Sequence, residues 1–289
     1  MASLTFILLF GISYGLVLAL ISIGLVITMG LMRVTNLAHG AFAAIGGYLS
    51  TGLIVNAGVP FPIAIILASV AVGVFSIAIE RAFFVYLYTA TELDQVLLTI
   101  GLDFIVIGLL TYFYGPNLYP TPLPSYLAVP VDLGVRTIEA YRLAIVAVSL
   151  TIIGALWFLF DKTTLGARLR AAVDNRTMAQ STGINVDRLF SLTFALGSGL
   201  AAFGGALGAP MLPLEPLYPF KYLILVLIVV ALSGFGNVKS VVGVAILVGM
   251  AETAGRLLLP GSGAFVIYFL LIVLMVWRRN GLFSKRSAA

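Results

Sequence analysis

Cysteine is absent from this 289-residue sequence, and charged side chains are scarce. The first absence excludes disulfides and thiolate metal sites. The second is more restrictive: Asp, Glu, Lys and Arg make up 9% of the chain, against roughly 25% in soluble domains. A water-soluble fold needs a polar skin that this composition does not supply. Histidine occurs once, at His39. A single imidazole does not build a zinc site, and no carboxylate lies near it in sequence, so catalysis has little support. A phosphate-binding loop is also missing. The nearest stretch, Gly234-Phe-Gly-Asn-Val-Lys-Ser240, lacks the glycine directly before the lysine that such a loop requires. If ATP drives this protein, a partner binds it.

What is present is apolar: 61% of the residues are hydrophobic and 30 are glycine. The apolar runs are continuous rather than alternating, which favours spanning helices over barrel strands. Hydropathy predicts about nine spans, near 4–31, 37–56, 61–80, 94–114, 142–160, 189–211, 220–235, 240–258 and 264–277. The expected fold is an all-α integral membrane protein, a polytopic bundle of about eight to nine transmembrane helices forming a single domain over 1–289. The first span carries no basic residue before it and no cleavage signal after it, so it reads as retained. The second and seventh spans are the weakest. The second opens with polar residues and contains Gly46 and Gly47, which suggests a broken or partly re-entrant segment, tolerated only where protein or water surrounds it.

Loop charge gives an orientation. With the amino terminus outside and the carboxyl terminus in the cytoplasm, 12 of the 16 Lys and Arg lie inside, leaving Arg136, Arg142, Lys221 and Arg256 outside. This also accounts for the net charge of +5 without invoking nucleic acid. The loop 115–141 holds five prolines and reads as an extended external segment. The loop 161–188 reads as a cytoplasmic amphipathic helix. It opens at Thr164, has Leu169, Ala172 and Val173 on one face with Arg168, Asp174, Asn175 and Arg176 polar, and ends at Gly183. No repeat of fixed period is evident.

Ionisable groups inside spans face partners or cavities. Asp103 and Glu252 are such groups, and Arg256 stands at i+4 from Glu252. Each fits either an internal pairing or a place on a solute pathway. His39 fits either a bond that pins a broken helix or a pathway position. Glu80-Arg81 reads as a solvated pair at a span end. The small residues of 197–208 predict close helix packing.

Three blocks resemble LivH-type permeases, the membrane subunits of ABC importers for branched-chain amino acids. They are Arg33-Val-Thr-Asn-Leu-Ala-His-Gly40 within the longer stretch from Gly11, Gly166-Ala-Arg-Leu-Arg-Ala-Ala with Gly183 through Phe194, and Leu232 through Ser240 with Gly243 and Glu252. The resemblance runs over nearly the whole chain. It implies a type II ABC importer-like permease fold and a multi-pass protein of a prokaryotic inner membrane. It also implies a second, LivM-like permease, two cytoplasmic ATP-binding subunits, and a periplasmic or lipid-anchored binding protein that delivers solute. ATP and Mg would be used by those partners, with no cofactor on this chain. The coupling contact would fall on Thr164, Gly166, Arg168, Arg170, Ala171, Asp174, Met178 and Gly183. Asn36, His39 and Glu252 are the pathway candidates. A related permease for urea or short amides, a stand-alone carrier or channel, and an intramembrane enzyme are the alternatives. Uptake without an ATPase would mark the carrier, and a chemically altered product the enzyme.

Overall fold

A computed structural model describes residues 2–32, 34–88, 90–132, 137–234 and 238–258, together with 269, 272 and 273. Among the described residues, seven helices are long and apolar enough to cross a membrane. They lie in α1 (Ala2–Met32), α2 (His39–Ala57), α3 (Phe61–Ile79) with its continuation, α5 (Glu92–Tyr114), α6 (Ala140–Lys162), α9 (Val186–Gly208) and α11 (Val238–Leu258). The shorter apolar helix α10 (Tyr218–Ser233) is the eighth. α3 continues through a π turn at Glu80–Phe84 into α4 (Val85–Leu87). Two short helices, α7 (Thr164–Asp174) and α8 (Arg176–Ser181), fill the loop after α6. The expected ninth span, apart from 269, 272 and 273, and the basic tail lie outside the described residues, as do Arg33, Arg136 and 235–237.

Local chemistry sets several boundaries. Thr91 and Asp94 form a reciprocal capping box at the start of α5. Gly58, at φ 63°, closes α2 in the left-handed region, and Pro62 sits in the first turn of α3. The proline-rich segment after α5 is mostly irregular among its described residues. It ends in a hairpin of β1 (Pro130–Asp132) and β2 (Thr137–Glu139), and Tyr119 donates from its backbone to the Leu214 carbonyl at 2.8 Å.

Residues 13–28 of α1 are buried on every side. A helix that is apolar all round belongs in a core, and here α11, α9, α6 and α10 pack around it. Small residues permit the close approach. A side chain on Gly249 of α11 would stand 2.5 Å from the Gly15 nitrogen of α1, and one on Gly199 of α9 would stand 3.2 Å from the Ser69 carbonyl oxygen of α3. α5 and α6, by contrast, present Leu97, Phe104, Ile105, Leu109, Leu150 and Phe158 outward. That apolar surface suits lipid or another membrane subunit.

The packing repeats in reverse. Exchanging α1, α2 and α3 for α9, α10 and α11 maps the α1–α11 contact onto α9–α3. It also maps α2–α3 onto α10–α11 and α1–α10 onto α9–α2. α1 and α9 run antiparallel: Gly24 meets Gly197, while Ile21 meets Gly204. Sequence alone shows no such repeat, because the two halves share a packing scheme and not a motif.

The second span differs from expectation. α2 is unbroken through Gly46 and Gly47, which instead sit against Ala202, Gly205 and Leu214. The irregular backbone precedes it. His39 opens α2 beside Ile21 and Gly24 of α1. Met32, the end of α1, lies eight residues or roughly 12 Å beyond Gly24. The chain therefore folds back along α1 before α2 begins. Val34, Asn36 and Ala38 are buried within protein, as an irregular segment at membrane depth requires. α10 likewise starts inside the bundle, where the Pro219 carbonyl lies against Gly40.

Glu80 corrects the expected solvated pair. It is buried and accepts from Ser191 Oγ at 2.7 Å and from the Tyr88 hydroxyl, while Arg81 is exposed. The π turn begins at Glu80 and gives the helix one extra residue there.

Candidate functional site

Three places carry the polar chemistry of this apolar chain. The first is the α7–α8 pair. Gly166, Leu169 and Ala172 are buried in a stripe, whereas Thr164, Arg168, Arg170, Ala171 and Asp174 are exposed. Gly166 is needed for contact: a side chain there would stand 2.6 Å from the Phe160 carbonyl carbon at the end of α6. Arg170 Nη1 donates to the same Phe160 carbonyl oxygen at 2.8 Å. The expected single helix is broken once. Asn175 leaves helical geometry and its side chain accepts from the Met178 amide at 2.9 Å, so it caps α8. Met178 is 66% exposed, an apolar side chain facing outward on α8. Gly183, at φ 85°, ends the pair. Arg176 then binds Asp187 at 2.6 Å, which ties α8 to the start of α9. A groove of ≈ 600 Å³ runs between α7 and α9, with Thr164, Arg168, Gly183, Arg188 and Leu192 among its walls. Beneath the pair, burial and then its bond to Glu80 hold the Tyr88 phenol well above its ordinary value.

The second place is the buried entry to α2. His39 Nε2 donates to the Ile21 carbonyl oxygen at 3.0 Å, and the ring is wholly buried against Gly24. Gln95 of α5 bridges the fold-back: its Oε1 accepts from the Thr35 amide at 2.8 Å and its Nε2 donates to the Leu87 carbonyl at 3.0 Å. Two turns further along α5, Asp103 is buried, and neither of its carboxyl oxygens has a hydrogen-bond partner among the described residues. The Asn36 side chain and His39 Nδ1 are buried with no partner among the described residues.

The third place is a chamber of ≈ 380 Å³ at the end of the bundle where α1 begins. α1, α6, the 209–217 segment, α10 and α11 all contribute walls. Glu252 lies here, and Arg256 Nε donates to its Oε1 at 2.5 Å. The other pathway candidates, Asn36 and His39, do not line this chamber. Arg142 does. From sequence it reads as one more external loop charge; only the fold turns it inward. Its guanidinium carbon lies 3.6 Å from the Phe10 ring centroid, and Nη1 donates to Ser13 Oγ at 3.3 Å.

Gly11-Ile-Ser-Tyr-Gly15 spells the Gly-x-Ser-x-Gly pattern of hydrolase nucleophiles. The fold removes that meaning. Ser13 sits inside a continuous helix rather than a strand-to-helix turn, and its hydroxyl donates to the Phe10 carbonyl at 3.0 Å. Among the described residues no three His, Asp or Glu side chains gather as a metal site.

Comparison with known proteins follows the same lines. Residues 7–276 match the model of the family described as branched-chain amino acid transport system / permease component. The high-affinity branched-chain amino acid transport system permease protein BraD of Pseudomonas aeruginosa is 25% identical over 288 residues, covering 95% of this chain and 94% of its own. LivH of Escherichia coli, a permease protein described in the same terms, is 26% identical over 286 residues, covering 92% and 90%. The probable branched-chain amino acid transport permease protein LivH of Methanocaldococcus jannaschii is 23% identical over 278 residues, covering 92% and 86%. No solved structure gives a significant match. A polytopic helical bundle and a family match over nearly its full length agree: the chain belongs to the permease components of branched-chain amino acid transport systems.

Proposed function

We propose that this chain is one membrane-spanning subunit of an ATP-driven importer of branched-chain amino acids. Its partners would be a second permease, two cytoplasmic ATPases and an extracytoplasmic binding protein. The amino terminus lies outside and α7–α8 lies in the cytoplasm, as the distribution of Lys and Arg favours. The observation that carries the reading is the attachment of α7–α8. Its apolar stripe is fixed on α6 through Gly166 and Arg170, and its far end is tied to α9 through Arg176 and Asp187. α9 in turn touches α1, α2 and α3. A push on the exposed face, at Thr164, Arg168, Ala171, Asp174 and Met178, therefore moves the helices at the centre of the bundle as bodies. ATP and Mg stay with the ATPases, and this chain transmits the motion. Glu252 is assigned to the solute pathway at the outer end. Asn36 and His39 are assigned to the α2 entry, where His39 holds the fold-back through the Ile21 carbonyl.

The test is uptake of labelled leucine, urea and acetamide into proteoliposomes holding all five components. ATP-dependent leucine uptake is expected, with urea and acetamide excluded. Leucine uptake that persists after the ATPases are stripped away overturns the reading in favour of a free-standing carrier.

A further inference from the structure

We infer that the chamber where α1 begins is a receiving site for a zwitterionic amino acid, with Arg142 taking the carboxylate and Glu252 the ammonium. This rests on the transport reading above and adds to it a ligand geometry.

Among the described residues Arg256 is paired with Glu252, and Lys221 with Glu215. Arg142 forms no ion pair with any described residue, although Glu139 is near enough to act on its charge through space. A guanidinium has five N–H donors. Among the described residues the partners of Arg142 are reached by Nη1, which donates to Ser13 Oγ at 3.3 Å and to Met211 Sδ at 3.9 Å. Both bonds are long, and Nε is buried with none. A planar fork with unused donors matches a carboxylate, which accepts two parallel bonds. The ring of Phe10 beneath the guanidinium fixes its plane. Lys221 and Tyr222 of α10 also line this space.

Glu252 supplies the complementary charge. Only Oε1 is engaged by Arg256, so the second oxygen remains to accept from an ammonium. Apolar, recessed side chains share the walls with these two charged groups. Leu212 is 2% exposed and Tyr222 is 3% exposed. The volume falls near the lower end of the roughly 300–1,000 Å³ typical of small-molecule sites. A recessed space of this size suits a free amino acid better than an acidic side chain standing on a docking protein. The apolar walls suit an aliphatic side chain.

The chain's lack of cysteine makes the test direct. Thr253→Cys places one thiol in the chamber wall of the assembled complex, and its alkylation is followed by peptide mass spectrometry. Millimolar leucine is expected to slow labelling, while leucinamide, which lacks the carboxylate, does not. Adding Arg142→Gln should remove the protection, and Arg142→Lys should restore part of it. The corresponding loss in leucine uptake per ATP is roughly 10- to 100-fold, the span of a charge-assisted hydrogen bond. Equal protection by leucine and leucinamide overturns the inference. So does an Arg142→Gln complex that keeps leucine protection, or one whose defect is failure to dock the binding protein, since the carboxylate is then a protein side chain. If the unmodified complex moves no leucine at all, the transport reading fails instead.

Discussion

Replacing Gly166 with alanine adds one methyl group at the joint between α7 and α6. In an ordinary helix that change stabilises by up to about 1 kcal/mol. Here the new Cβ stands 2.6 Å from the Phe160 carbonyl carbon and 2.9 Å from the Phe160 Cα. All the atoms it meets are backbone, so no flexible side chain can swing away. Bringing the closer of these approaches out to an ordinary 3.4 Å contact requires α7 to shift by about 0.8 Å, and the Phe160 carbonyl oxygen, which stands closer still, requires more. Overpacking of this kind costs about 1–3 kcal/mol, which outweighs the propensity gain. The same shift lengthens the Arg170–Phe160 bond, now 2.8 Å. Gly154, in the same α6, is the control: a side chain there meets nothing within 4 Å. Gly154→Ala should leave the purified complex unchanged or slightly more stable. Gly166→Ala should lower its melting temperature by roughly 2–8 °C and reduce leucine uptake per ATP hydrolysed. Equal melting temperatures and equal uptake for the two variants would refute the claim that α7 is held rigidly on α6.

Gln95→Leu leaves the Thr35 amide without its partner, and the fold-back before α2 should lose about 1–3 kcal/mol, seen as faster amide exchange at 34–38. Glu80→Ala strands Ser191 and Tyr88 at a similar cost, while Glu80→Gln, which keeps an acceptor, should lose less; thermal unfolding of the two variants compares them. Gly249→Val should prevent α1 from closing on α11, and the yield of folded, monodisperse protein in detergent should collapse. Asp187→Asn should barely change thermal stability, because the Arg176–Asp187 pair is well exposed, yet it should lower uptake per ATP if α8 pulls on α9 through that pair.

Much of this architecture is written in hydropathy, because a bilayer imposes length and apolarity on every span. The α7 amphipathicity is legible for the same reason: burying one stripe needs apolar residues three or four apart, and Gly166, Leu169 and Ala172 supply them. Other features are set by tertiary position and leave a weaker trace. The low hydropathy of 37–56 marks an unusual segment, yet only the placement of His39 against Ile21 shows that the irregularity precedes α2 rather than lying at Gly46. Asn175 is a good capping residue, a signal that could have divided α7 from α8. Glu80 beside Arg81 invites an ion pair, but the π turn and its partners Ser191 and Tyr88 lie 111 and 8 residues away. Arg142 is the hardest to read. Its meaning depends on Phe10, Ser13 and Met211, which belong to other parts of the chain.

Met178 gives the most direct test of the account. The chain contains no cysteine, so Met178→Cys introduces one reactive thiol on the exposed face of α8. A membrane-impermeant maleimide should label it in inside-out vesicles and not in right-side-out vesicles, and a short bifunctional reagent should join it to an ATPase subunit. Labelling from the outer face alone, or cross-linking to the binding protein instead, would contradict the placement of α7–α8 as the cytoplasmic contact through which ATP binding moves the bundle.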